Sequence, residues 1–150
     1  MQKFPFRLVV MLVSALILVS PAASADELPA IIGTWIVKDG NAPFPYHMYV
    51  FNADGTMQQA NPDAGNPKRS DSDGKGVWKL AGERVHGKWV EIMADRATHK
   101  FVGIGEISFE IVVKGDRFEG QGSASFYDGD RKLIDGPFAT TMSGTRVTLE

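Results

Sequence analysis

The sequence predicts an all-β domain, an antiparallel up-and-down barrel of about eight strands, with a β-sandwich as the alternative architecture. Three observations lead there. Glycine (16) and proline (8) punctuate the chain so densely that beyond residue 25 the longest stretch free of both is 88–102, which leaves little room for helices. Between these breaks lie short runs of β-branched and aromatic residues that alternate apolar and polar. Turn signals separate the runs, at Ala53-Asp54-Gly55, Ala81-Gly82, Lys114-Gly115-Asp116 and Asp128-Gly129-Asp130, and Asp-Gly beside an alternating run is a strong hairpin signal.

The first segment reads as an export signal. Lys3 and Arg7 give a positive start, an apolar run over 8–19 is interrupted only by Ser14, Pro21 breaks it, and Ala23-Ser24-Ala25 offers small residues to a signal peptidase. A run of about 12 apolar residues falls well short of the roughly 20 that span a bilayer, so residues 1–25 are expected to be removed, leaving no stable membrane anchor. Residues 26–150 then form one exported domain, periplasmic or secreted, and the absence of cysteine means that its core alone must hold it together.

Within that domain strands are expected at 31–38, 46–51, 56–60, 75–80, 85–94, 100–113, 117–127 and 133–149. The last contains Gly136-Pro137, which marks a bend, an edge or a division into two pieces. The connection 61–74 is polar, rich in Pro, Gly and Ser, and long enough for a lid or binding loop. Faces follow from the period of two. Phe101, Gly103, Gly105, Ile107, Phe109, Ile111 and Val113 share one side of the sixth strand. Phe118, Gly120, Gly122, Ala124 and Phe126 share one side of the seventh. Glycines at inward positions favour the barrel, because they permit the coiling that closure requires.

Composition removes several function classes. A net charge of −2 without any basic run gives nucleic acid no docking surface. Zero cysteine excludes disulfides, thiolate metal sites and a cysteine nucleophile. His47, His86 and His99 have no metal-ligand spacing, and Asp71-Ser72-Asp73-Gly74 lacks the later ligands of a calcium loop, so it reads as a solvated turn. There is no phosphate loop, dinucleotide fingerprint or Gly-x-Ser-x-Gly elbow. Neither a metal nor another cofactor is expected.

Two strands carry the candidate chemistry. In Tyr46–Phe51, alternation places His47, Tyr49 and Phe51 on one face; if that face lines a cavity, His47 is a candidate general base or ligand contact. Glu91 shares a face with Val85, Gly87, Trp89 and Met93, apolar company that would raise its pKa and make it a candidate acid or anchor. The inward aromatics Tyr49, Phe51, Trp89 and Phe109 are the residues expected to line a ligand.

Gly33-Thr34-Trp35 in the first strand and Thr145-Arg146-Val147 in the last resemble the calycin pattern of lipocalins, avidins and fatty-acid-binding proteins. The resemblance implies an up-and-down barrel in which Arg146 lies across Trp35 near the closed end. The lipocalin Thr-Asp-Tyr motif is absent, 39–44 is too short for the two-helix insert of fatty-acid-binding proteins, and Thr148 stands where their Arg-x-Tyr has tyrosine. What the resemblance implies is therefore the fold rather than a fatty-acid ligand. The expected function is an exported lipocalin-like protein that binds a small apolar or amphiphilic molecule in the barrel. The alternative is a barrel enzyme, an isomerase, cyclase or lyase, moving protons with His47 and Glu91.

Overall fold

Alternation and turns resolve into nine strands in the computed structural model, which describes residues 29–42, 44–63 and 66–149. They are β1 (Gly33–Asp39), β2 (Tyr46–Phe51), β3 (Thr56–Ala60), β4 (Arg69–Asp71), β5 (Gly74–Ala81), β6 (Arg84–Asp95), β7 (Phe101–Lys114), β8 (Arg117–Tyr127) and β9 (Leu133–Arg146). No α-helix occurs among the described residues. The export signal expected over 1–25 lies outside them.

Eight of the strands pair antiparallel with their neighbours in chain order, β4 apart, and close on themselves where β1 meets β9 through Trp35↔Arg146, Val37↔Gly144 and Asp39↔Met142. The fold is thus a closed up-and-down barrel, compatible with the calycin architecture, and not a sandwich. The ninth strand, β4, lies inside the connection expected to be irregular. It pairs with β6 through Asp71↔Met93 and Arg69↔Asp95, beyond the point where β5 stops at Lys75↔Val90, so β4 prolongs the wall on the edge that β5 leaves bare.

Two further differences from the expected pattern have local causes. Phe101, expected on the inner face, is half exposed because the β6–β7 register shifts between Met93 and Ala94. β9 runs through Gly136-Pro137 as one strand. The β8–β9 register shifts opposite these two residues, between Ala124 and Phe126, and such an irregularity admits a proline that cannot donate to the ladder.

The interior is built by setting large residues against small ones across the ladders. Trp78 pairs with Gly87, Trp89 with Gly76, Phe109 with both Gly87 and Gly122, and Ile111 with Gly120. The fit is tight: a Cβ on Gly87 would lie 2.1 Å from the Phe109 ring, so the glycine is required for the aromatic to cross the barrel. By this means Trp35, Phe51, Met57, Trp78, Val85, Phe109, Ile111 and Phe118 fill one half of the barrel.

That half is sealed at its end by the first and last strands. Trp35 is fully buried, its indole N–H donates to the Ile31 carbonyl at 2.8 Å, and it packs on Phe118 at 5.1 Å. The Arg146 guanidinium lies 4.3 Å from the centroid of the Trp35 ring, donates from Nη1 to the Ile32 carbonyl at 2.8 Å and meets Asp116 at 3.0 Å. It also donates to the Ala30 carbonyl. One side chain therefore joins β9, β1 and the segment leading into β1.

Arg146→Ala should lower stability in urea unfolding by about 2–3 kcal/mol, the sum of a partly buried cation–π contact and lost hydrogen bonds. Arg146→Lys should recover only part of it, because an ammonium cannot both stack and fork. A loss under about 0.5 kcal/mol for the alanine variant would contradict this assignment.

Candidate functional site

The packed half ends at the level of Tyr49 and Trp89. Above it polar side chains interrupt the apolar lining, and a cavity of about 320 Å³ remains, open at the end of the barrel away from Arg146. β6 delivers Trp89, Glu91 and Met93 to it by strict alternation, and Asp71 of β4 points the same way because it pairs with Met93. β1, β2 and β9 contribute Asp39, His47 and Thr140. Ile107, Ala124, Phe126 and Phe138 form an apolar wall, with the Phe126 and Phe138 rings 6.3 Å apart.

Three of the sequence-selected residues, His47, Glu91 and Trp89, line this cavity. Tyr49, Phe51 and Phe109, expected to line it as well, point inward but lie below it, packed on one another with ring centroids 6.0–6.1 Å apart. Tyr49 supports the floor: its phenol oxygen accepts the Trp89 indole N–H at 3.1 Å. Burial raises the Tyr49 pKa far above its ordinary value, although the Trp89 hydrogen bond acts the other way. Trp35 and Arg146 belong to the opposite end.

His47 is held on both ring nitrogens. Gln59, almost completely buried, accepts the Gly74 backbone N–H on Oε1 at 3.0 Å, which fixes the orientation of its amide. Its Nε2 consequently donates to His47 Nδ1 at 3.0 Å, and His47 Nε2 donates to the Phe44 carbonyl at 3.0 Å. Burial lowers the His47 pKa, opposed by the charge of Asp39 and by the Phe44 carbonyl. The imidazole is neutral, a single tautomer, with its one in-plane lone pair already used.

The carboxyls divide into two kinds. Asp39 accepts the backbone N–H groups of Asn41 and Ala42 and the Thr140 hydroxyl, and Asp63 pairs with Arg96 at 2.9 Å. Both are structural ties. Glu91 instead lies over Gly105, where a Cβ would sit 2.7 Å from its Oε1, and among the described residues it has neither a hydrogen-bond donor nor an ion-pair partner. Burial first and the charge of Asp71 second push its pKa up to about 7. Asp71 is raised too, by burial and then by Asp63, against the opposing charges of Arg69 and Arg96. Its Oδ1 is buried without a hydrogen-bond partner. The turn expected to be solvated at 71–74 thus begins with an inward carboxyl. No group of three metal-ligating side chains occurs among the described residues.

Sequence reasoning missed Asp71, Gln59, Phe138 and Thr140 as parts of this site. Asp71 sits in a polar connection without alternation, and Gln59 acts through a residue on a neighbouring strand. Phe138 and Thr140 follow the irregularity at Gly136-Pro137, which hides their face. Chemically, the cup offers a neutral imidazole, two carboxyls without donors among the described residues, and an apolar wall facing them. No protein-family model, curated protein or solved structure matches the chain, so its chemistry is read from these side chains.

Because Glu91 binds its proton more tightly in the folded protein than in the unfolded chain, its contribution is most favourable below about pH 4.5 and is lost as pH rises through about 7. Glu91→Gln, which cannot ionise, should match the wild type near pH 4 and exceed it at pH 8 by up to about 3 kcal/mol in urea unfolding. An equal difference at both pH values would contradict the desolvated carboxyl.

Proposed function

We propose that this protein is an exported, lipocalin-like carrier that binds a small amphiphilic molecule in the cup at the open end of the barrel. The observation that supports this reading best is the division of the interior: one half filled by aromatics, the other hollow and lined by polar groups facing an apolar wall. Small-molecule sites have this make-up, a mostly apolar recess with a few convergent polar groups, and a barrel of about eight strands holds one small ligand. The Trp35–Arg146 pair at the sealed end agrees with the lipocalin-like resemblance, and the sequence of residues 1–25 supports export.

The proton-transfer alternative draws on Glu91, a carboxyl half ionised near neutral pH inside a recess. Its second member is less suited to the task. With Nδ1 accepting from Gln59 and Nε2 donating to Phe44, His47 has no lone pair left to receive a substrate proton. Carriage therefore has the stronger support.

Native mass spectrometry of the protein purified from its own host's envelope fraction should show a small-molecule adduct. Ala124→Trp, which fills the cup from β8, should fold to the same strand-rich circular dichroism spectrum and lose that adduct. A wild-type preparation free of adducts, or an adduct retained by the tryptophan variant, would contradict carriage in the cup.

A further inference from the structure

The charge inside the cup is one-sided. Among the described residues, Asp39, Asp63, Asp71 and Glu91 line it against one cationic side chain, Arg69. Of the four carboxyls, Asp39 and Asp63 are committed to backbone N–H groups, a hydroxyl and Arg96. Asp71 and Glu91 remain, and they are neighbours: Asp71 pairs with Met93 across β4–β6, and Glu91 precedes Met93 by two residues, so both project into the hollow from the same wall. A buried carboxylate oxygen without a donor is costly, yet Asp71 Oδ1 is such an oxygen and Glu91 has no partner among the described residues. Among the described residues neither carboxyl is given a hydrogen-bond donor.

Accepting the reading of the cup as a small-molecule site, on which this step rests, we infer that its occupant carries a protonated amine. The ammonium sits between Asp71 and Glu91, and its apolar body lies on Ile107, Ala124, Phe126 and Phe138. Each free carboxyl then receives a charge-assisted hydrogen bond. The Trp89 ring at the floor adds a surface that attracts a cation. An anionic amphiphile has less to recommend it. Arg69 is exposed at the rim and shares its neighbourhood with Asp71, while any anion entering the cup meets Glu91 and Asp71 at close range.

The test uses the full chain and three probes with one body and three heads: phenylpropylamine, phenylpropanol and phenylpropanoate. Affinities are read by isothermal titration calorimetry at about pH 8, where Glu91 is largely ionised. The amine should bind at least about tenfold more tightly than the alcohol, the carboxylate weakest of all. Glu91→Gln and Asp71→Asn should each reduce amine affinity about tenfold, well beyond their effect on alcohol affinity, with circular dichroism confirming the fold. An alcohol or carboxylate that binds as well as the amine would overturn the assignment of charge and leave the cup as a binding site. Equal amine affinity in wild type and both variants would do the same. Binding of none of the three would overturn the assignment and the carrier reading together.

Discussion

Everything above the floor of the cup depends on how the barrel is closed below it. The seam between β1 and β9 is where a meander becomes a ring, and Arg146 lies on it, stacked on Trp35 and bonded to carbonyls of the segment entering β1. Closure gives β1 and β9 a partner on both sides, and it fixes how much cross-section the inward side chains must fill. Aromatics set against glycines fill it in the lower half, as where Phe109 crosses Gly87. In the upper half the small positions Gly105 and Ala124 likewise face Phe126 and Phe138 on one side, but on the other side Gly105 faces Glu91 and Ala124 faces Ile107. The hollow lies between the wall that carries these two rings and the strands that carry Glu91, Asp71 and His47.

Leaving that hollow has an energetic consequence. Most of the interior polar groups are tied: Gln59 to Gly74 and His47, His47 to Phe44, Asp39 to the turn that follows β1. Glu91 and Asp71 are the exceptions, held where burial opposes their ionisation. A stability-optimised barrel would place apolar or paired residues at both positions. Groups held at a cost to folding, in a recess, beside an apolar wall, are characteristic of sites kept for binding or catalysis. The tie on His47 gives the two carboxyls different weight from the imidazole: the former are open to a ligand, the latter is part of the wall.

The sequence carried in-or-out information well and depth information poorly. Alternation correctly placed His47, Tyr49, Phe51, Trp89, Glu91 and Phe109 inside, because a period of two is a local property of a strand. Whether an inward residue lies in the packed half or the hollow half depends on the stagger between strands, which no single strand encodes. Tyr49, Phe51 and Phe109 were therefore indistinguishable from lining residues until the pairings were known. β4 was illegible for another reason: three residues, Arg69–Asp71, pair because β6 outruns β5, and that edge is created by a strand some twenty residues later. Phe101 and Phe138 lie next to register shifts, where counting by twos fails. Glu91 was legible because its apolar neighbours stand in its own strand, whereas the partner of His47 is on β3.

The central claim is that one half of this barrel is a cup holding two carboxyls, Glu91 and Asp71, that have no hydrogen-bond donor among the described residues. Following the side-chain carboxyl carbon of Glu91 by ¹³C NMR across a pH titration tests it directly. A midpoint near 7 is the predicted result; a midpoint near the ordinary glutamate value of about 4.3 would mean that water or an unseen donor already satisfies Glu91, and would contradict the account.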